Sequence, residues 1–190
     1  MFIIKNKYFL IIENIKDINL KNIKIRNKFF IIYRYNKRID SLFDLLKFRR
    51  ICKSKAIKFY VANNIKLAIS LNSDGIYLSS HNREFKYLNF RKPNFKIIGS
   101  AHNIKEISGK IKQGCCIILL SKLFIVSYDK KAAYLGLIKF NNYFRIFNNL
   151  IPLGGIKLNN LNSLRSVNSK GFALFSEVKK KPTKIISRLF

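Results

Sequence analysis

Short apolar runs alternate along the chain with segments of helical spacing, the pattern of successive βα units in a parallel sheet. The first runs, Lys7 to Glu13 and Lys28 to Tyr35, read as strands, although Asn14 to Arg26 between them barely makes a helix. Asp40 or Ser41 caps a helix to about Cys52, with Leu42, Leu45, Leu46 and Arg49 on related faces. Lys58 to Val61 predicts the third strand, Ile65 to Leu71 a short helix, and Gly75 to Leu78 the fourth strand. The connection from Asn82 to Pro93 carries no clear period. Lys96 to Gly99 is the fifth strand, and Asn103 caps a helix through Gln113 that Gly114 ends. Cys116 to Leu120 is the sixth strand, and Tyr134 to Phe147 a further helix.

Two apolar strands close the pattern: Ile151-Pro152-Leu153-Gly154-Gly155-Ile156 and Gly171-Phe172-Ala173-Leu174-Phe175-Ser176. Asn159 to Val167 reads as one short helix between them, and a basic tail interrupted by Pro182 holds a last short helix. Eight strands in order predict a small α/β chain, a (β/α)8 TIM barrel in one domain over residues 1–190. An open doubly wound sheet is the alternative. In such barrels the loops after strands seven and eight build phosphate sites, where glycines let backbone N–H groups approach an anion. The Gly154-Gly155 pair and the Phe175-Ser176 strand end fit that role, and equally fit a plain turn and a helix cap.

Composition adjusts this picture in three places. The net charge is +29, from 38 Lys and Arg against 9 Asp and Glu. The lysines are spread along the chain and accompany many Ile, Asn, Phe and Tyr, residues with A/T-rich codons, which argues against a dedicated nucleic-acid surface. The charge still favours anionic substrates. No apolar stretch approaches about 18 residues, which predicts no membrane span, and Lys5 and Lys7 break the N-terminal run, which argues against a signal peptide. Cys52, Cys115 and Cys116 form a sparse, odd set, and adjacent Cys115-Cys116 in an apolar strand reads as buried thiols, which places the chain in a reducing cytoplasm. No Ser-His-Asp order, paired CxxC or Walker loop is present.

With the strands placed, three stretches resemble the thiamine phosphate synthase/TenI family. Ser73-Asp74-Gly75-Ile76-Tyr77-Leu78 is similar to its GADGVHL strand, and Ile97-Ile98-Gly99-Ser100-Ala101-His102-Asn103 to its IIGxSAHN strand and cap. Leu120-Ser121-Lys122-Leu123-Phe124, followed by Leu135-Gly136-Leu137, is similar to SPxF…PLGL. The resemblance covers roughly residues 30 to 178 and includes both glycine- and serine-ended strands. It implies a transferase of thiamine biosynthesis that joins a hydroxymethylpyrimidine diphosphate to a thiazole phosphate with loss of pyrophosphate. Thiazole tautomerisation, the other activity of the family, falls on a histidine that aligns here with Lys122.

The resemblance implies that Arg34, Asn63, Asn82, Ser100 and Lys130 face substrate, Arg34 and Ser100 on the pyrimidine side, with Gly154, Gly155, Phe175 and Ser176 on phosphate. It also implies Mg²⁺, yet both acidic positions that would hold the ion are here Asn63 and Asn82. Two neutral amides lack the charge that retains a hard cation. Of the QLREK motif only Arg34 is kept, and the PTxTK loop, at Ile125 to Asp129, keeps neither threonine nor lysine, with Lys130 adjacent. Asp129 reads as a replacement ligand or as a partner of Lys130 or Lys131, and His102 and His81 as structural or mouth-facing. The alternatives to a synthase are a thiazole phosphate binder or salvage protein and a basic nucleic-acid binder. The chain leaves a homo-oligomer open.

Overall fold

The structure is a computed structural model and describes residues 5–25, 27–36, 38–88, 90, 92–126, 129, 131, 133–180 and 182–187. Eight strands close into one parallel barrel in sequence order: β1 Lys7–Ile12, β2 Phe29–Tyr33, β3 Lys58–Ala62, β4 Gly75–Leu78, β5 Lys96–Ala101, β6 Ile117–Ser121, β7 Leu150–Leu153 and β8 Gly171–Leu174. β1 pairs with β2 on one side and β8 on the other, from Lys7↔Gly171 to Leu10↔Leu174, which excludes the open sheet. Helices α1 Leu42–Ser54, α2 Ile65–Ser70, α3 Ile104–Lys112 and α4 Gly136–Ile146 follow β2, β3, β5 and β6. After β8 come α5 Ser176–Lys180 and α6 Pro182–Ser187.

Several connections differ from the sequence pattern for local reasons. Two 3₁₀ turns, Ile15–Asp17 and Leu20–Asn22, replace a first helix. The side chains of Asn14 and Asn19 accept from the N–H groups two residues on, which favours tight turns over helix. The Asn159–Val167 segment is a 3₁₀ helix, Leu158–Ser166, tightened where the Asn160 amide reaches back to the Lys157 N–H and the Gly155 carbonyl. The final strand stops at Leu174, and Ser176 opens α5. Cys116 precedes β6 and is exposed, whereas Cys52 and Cys115 are buried.

Strand alternation sorts the side chains into two apolar shells. Phe9, Ile11, Ile32, Tyr60, Tyr77, Ile98, Leu119, Ile151 and Ala173 fill the barrel interior. Tyr8, Leu10, Phe29, Ile31, Phe59 and Leu120 belong to the larger shell shared with the helices. Aromatic rings fill much of the small interior: Phe9 stacks on Phe30 with centroids 4.6 Å apart, and Phe30 lies 6.3 Å from Tyr60. At the amino ends of β4 and β8 the backbones come too close for any side chain. A Cβ on Gly75 would stand 1.9 Å from the Lys96 carbonyl oxygen, and one on Gly171 2.0 Å from that of Lys7. Asp74 locks the same end, accepting from Arg49 at 3.0 Å, from Lys58 at 3.2 Å and from the Phe59 N–H at 2.9 Å. Among the described residues no helix is long and apolar enough to cross a membrane.

Burial pushes the Cys52 and Cys115 thiols up to about 12, so both stay protonated and enclosed at pH 8. Iodoacetamide at pH 8 is expected to modify Cys116 first and to spare the other two until denaturant is added, as peptide mapping would show. Equal labelling of all three in the native protein would contradict this packing.

Candidate functional site at the barrel mouth

The site follows from carrying each strand's inward alternation one step past its buried residues. Beyond Ile32 comes Arg34, beyond Ile98 Ser100, beyond Leu119 Ser121, beyond Ile151 Leu153, and beyond Ala173 Phe175. These side chains floor one cavity of about 510 Å³ at the carboxyl ends of the strands, where barrel enzymes place their chemistry. Arg34 lies just past β2, its N–H bonded to the Ile12 carbonyl at 2.8 Å. Its guanidinium sits over the Phe175 ring, 4.6 Å from the centroid, a cation–π contact between the second and eighth strand ends. Tyr77 is 1 % exposed, and its phenol lies where the side chains of Ser100 and Arg34 influence it. Burial pushes that phenol up against the opposing influence of Ser100 and Arg34, so it stays neutral.

The glycine pair builds the opposite wall. Gly154 and Gly155 have φ of +92° and +68°, and a Cβ on Gly155 would lie 2.4 Å from the Phe124 carbonyl oxygen. Only glycine lets the strand-seven turn nest against residues 122–125 there. Both carbonyls are used: Gly154 accepts from the Phe124 N–H at 3.1 Å, and Gly155 from the Asn160 amide at 2.8 Å. Among the described residues no acceptor takes the N–H groups of either glycine, which border the cavity. Ser176 lines the same wall, and Lys122, Lys157 and Lys180 add positive charge around it.

Six of the substrate- and phosphate-binding candidates thus share one cavity, Arg34, Ser100, Gly154, Gly155, Phe175 and Ser176, and His81 and His102 line it too. Asn63 and Asn82 do not line it. Asn63, at φ +54°, accepts from the Ser79 N–H at 3.0 Å and donates to the Ser79 hydroxyl at 3.1 Å, stitching β3 to β4. Asn82 turns toward a separate cleft against α3, its side-chain oxygen accepting from the Glu84 N–H at 3.0 Å. Lys130 lies outside the described residues. Asp129 accepts from Lys122 at 3.3 Å.

Tyr77, Ser80 and Ser121 also line the cavity, with no motif in the sequence that marks them as site residues, and His102 gains its role only from the fold. His102 joins three strand ends: Nδ1 lies 2.9 Å from the Ser121 hydroxyl and Nε2 3.2 Å from that of Ser80. The strand alternation that puts Arg34 in the mouth would have found Ser121 and Tyr77 as well. A divalent cation does not fit the donors at the ends of β3 and β4. They are neutral amides whose oxygens already accept N–H groups, and no described cluster of three His, Cys, Asp or Glu exists.

The fold and site define a (β/α)8 barrel whose mouth, at the strand carboxyl ends, joins apolar walls to charged side chains that are mainly cationic. The chain belongs to the thiamine monophosphate synthase family, whose sequence model matches residues 4–178. It is 28% identical over 184 residues to the thiamine-phosphate synthase of Prochlorococcus marinus strain AS9601, covering 94% of this chain and 50% of that protein. It is 25% identical over 138 residues to the thiamine-phosphate synthase of Clostridioides difficile strain 630, covering 71% of this chain and 65% of that one. The chain therefore spans about half the length of the Prochlorococcus relative. In structure it is similar to thiamine phosphate pyrophosphorylase from Pyrococcus furiosus, with a TM-score of 0.76 at 16% identity over 97% of this chain and 93% of that one. Phosphoribosyl anthranilate isomerase from Thermotoga maritima shares the fold at a TM-score of 0.66 and 15% identity, over 96% of each chain.

Gly155→Ala is expected to destabilise the protein by about 2 kcal/mol, combining a left-handed backbone with a backbone clash, and to weaken phosphate binding. Thermal unfolding and calorimetric titration with inorganic phosphate check both. An alanine variant with wild-type stability and affinity would remove the glycine pair from the site.

Proposed function

We propose that the mouth binds a hydroxymethylpyrimidine diphosphate and a thiazole phosphate and joins them, as a thiamine phosphate synthase-type transferase. The observation that carries this reading is the convergence of Arg34, Ser100, the glycine pair and Ser176 on one cavity, in a chain of this family. The thiazole phosphate lies against Gly154, Gly155 and Ser176, and the pyrimidine diphosphate against Arg34 and Ser100.

The chemistry asks little of acids and bases. The carbon–oxygen bond at the pyrimidine methylene breaks, and its electron pair leaves with pyrophosphate. The thiazole nitrogen then donates its lone pair to the methylene carbon, and the new carbon–nitrogen bond leaves the ring positively charged. No proton need move. What lowers the barrier is cationic stabilisation of the departing pyrophosphate and alignment of the two rings. At an effective dielectric of about 20, one cation about 4 Å from a pyrophosphate charge contributes about 4 kcal/mol. A divalent ion at that distance would contribute about twice as much, so two of Arg34, Lys157 and Lys180 would be comparable to it, Lys122 being paired with Asp129. The neutral phenol of Tyr77 adds no opposing charge.

A second reading is favoured by the neutral donor set at β3 and β4: the mouth binds the thiazole phosphate without joining the halves. Incubation with both substrates, with Mg²⁺ or with chelator, followed by mass detection of thiamine phosphate, separates the two. The expected outcome is product in both, with less dependence on Mg²⁺ than a carboxylate-bound ion would impose. Turnover abolished by chelator and restored by Mg²⁺ would contradict the cationic mechanism. No product, with thiazole phosphate bound, would establish the second reading.

A further inference from the structure

Lys110 lies within α3 and is 2% exposed. A lysine at that depth ordinarily meets a carboxylate. Its ammonium instead donates to the Ser79 carbonyl at 2.7 Å, the Asn82 carbonyl at 2.6 Å and the Gln113 side-chain oxygen at 2.9 Å. Three acceptors match its three hydrogens, and no described acid makes an ion pair with it. Gln113 completes the cage, its amide donating to the carbonyls of Asn82 at 3.1 Å and Glu84 at 2.9 Å. The lysine stem reaches this position across β5, where Gly99 clears the way. A Cβ on Gly99 would stand 2.9 Å from the Lys110 Cδ and 2.8 Å from the Cys115 Sγ.

The loop so held, residues 79–82, is the one that follows β4 into the mouth. Ser79, Ser80 and His81 line the cavity, and the Ser80 hydroxyl meets Nε2 of His102. We propose that Lys110 is a built-in cation that organises this loop through oxygen ligation, at the place where the strand ends carry no carboxylates to hold a metal ion. It is a positioning residue: it acts through the loop carbonyls on Ser80, and through Ser80 on His102. Burial pushes its pKa down, opposed by nearby Cys115 and Glu106, and three charge-assisted bonds retain the protonated form. The effect on ligands rests on the mouth being the binding site; the effect on His102 does not.

The test begins with the wild-type protein. Nuclear magnetic resonance of ¹⁵N,¹³C-labelled chain should show slowly exchanging Lys110 ammonium hydrogens, with couplings across the hydrogen bonds to the carbonyl carbons of residues 79 and 82. The chain has two histidines, so His81→Asn assigns the His102 ring. In Lys110→Met the Nε2 resonance of His102 should move as its contact with Ser80 is lost, and inorganic pyrophosphate should bind about tenfold more weakly. A Lys110 ammonium exchanging as fast as surface lysines would overturn the proposal, as would a folded Lys110→Met with an unchanged His102 spectrum. Should that variant fail to fold, the wild-type couplings decide. If wild-type protein binds no pyrophosphate while the couplings and His102 response appear, the functional reading fails and the loop cation stands.

Discussion

Closing eight parallel strands into a ring gives every inward residue a fixed depth. Side chains alternate between the interior and the helix-facing shell, so a strand cannot slip by one residue without exchanging its whole set. Here the interior is filled by rings such as Phe9, Tyr60 and Tyr77, and the backbone contacts at Gly75 and Gly171 fix the bottom. The next inward positions must then emerge at the top. That is why Arg34, Ser100, Ser121 and Phe175, scattered over more than a hundred residues of sequence, meet in one cavity.

Charge completes the site by subtraction. The chain has nine acidic residues, and most serve elsewhere. Asp74 anchors the far end of the barrel, Asp17 and Asp40 bind loop N–H groups after β1, Glu106 accepts from the His102 N–H and the Asn103 amide at the start of α3, and Glu13 pairs with Lys179. Of those near the mouth, Asp129 is taken by Lys122, and Glu177 lines the cavity beside Lys180. What borders the cavity is therefore mostly backbone N–H, hydroxyl and cation, with Glu177 the one described carboxylate, a combination suited to phosphate esters and poorly suited to a bare divalent ion. The same logic runs one layer deeper at Lys110, where a buried ammonium rather than a metal gathers carbonyl oxygens.

Much of this was legible in the sequence, because alternation of apolar runs reports directly on strand order. All eight strands lie where the pattern puts them, and the glycine and serine ends of the last two reach the cavity as placed. The sequence could not say how the amides turn. Asn63 and Asn82 stand beside strand ends, yet a left-handed backbone and a loop held by α3 direct them away from the cavity. The weak helical signal after β1 and the short helix expected after β7 have a related explanation: asparagine side chains compete for backbone N–H groups and tighten helix into 3₁₀ turns. His102 and Lys110 look like ordinary helix-cap and helix-surface residues until β4, β5 and β6 are brought side by side.

The central claim is that the mouth holds phosphate with its own cations and backbone rather than through a bound metal. Isothermal titration of the full chain with pyrophosphate, in excess chelator and then in Mg²⁺, addresses this most directly. The account predicts binding in chelator that weakens as salt is raised, with affinity little changed by Mg²⁺. Binding that appears only when Mg²⁺ is present would contradict it.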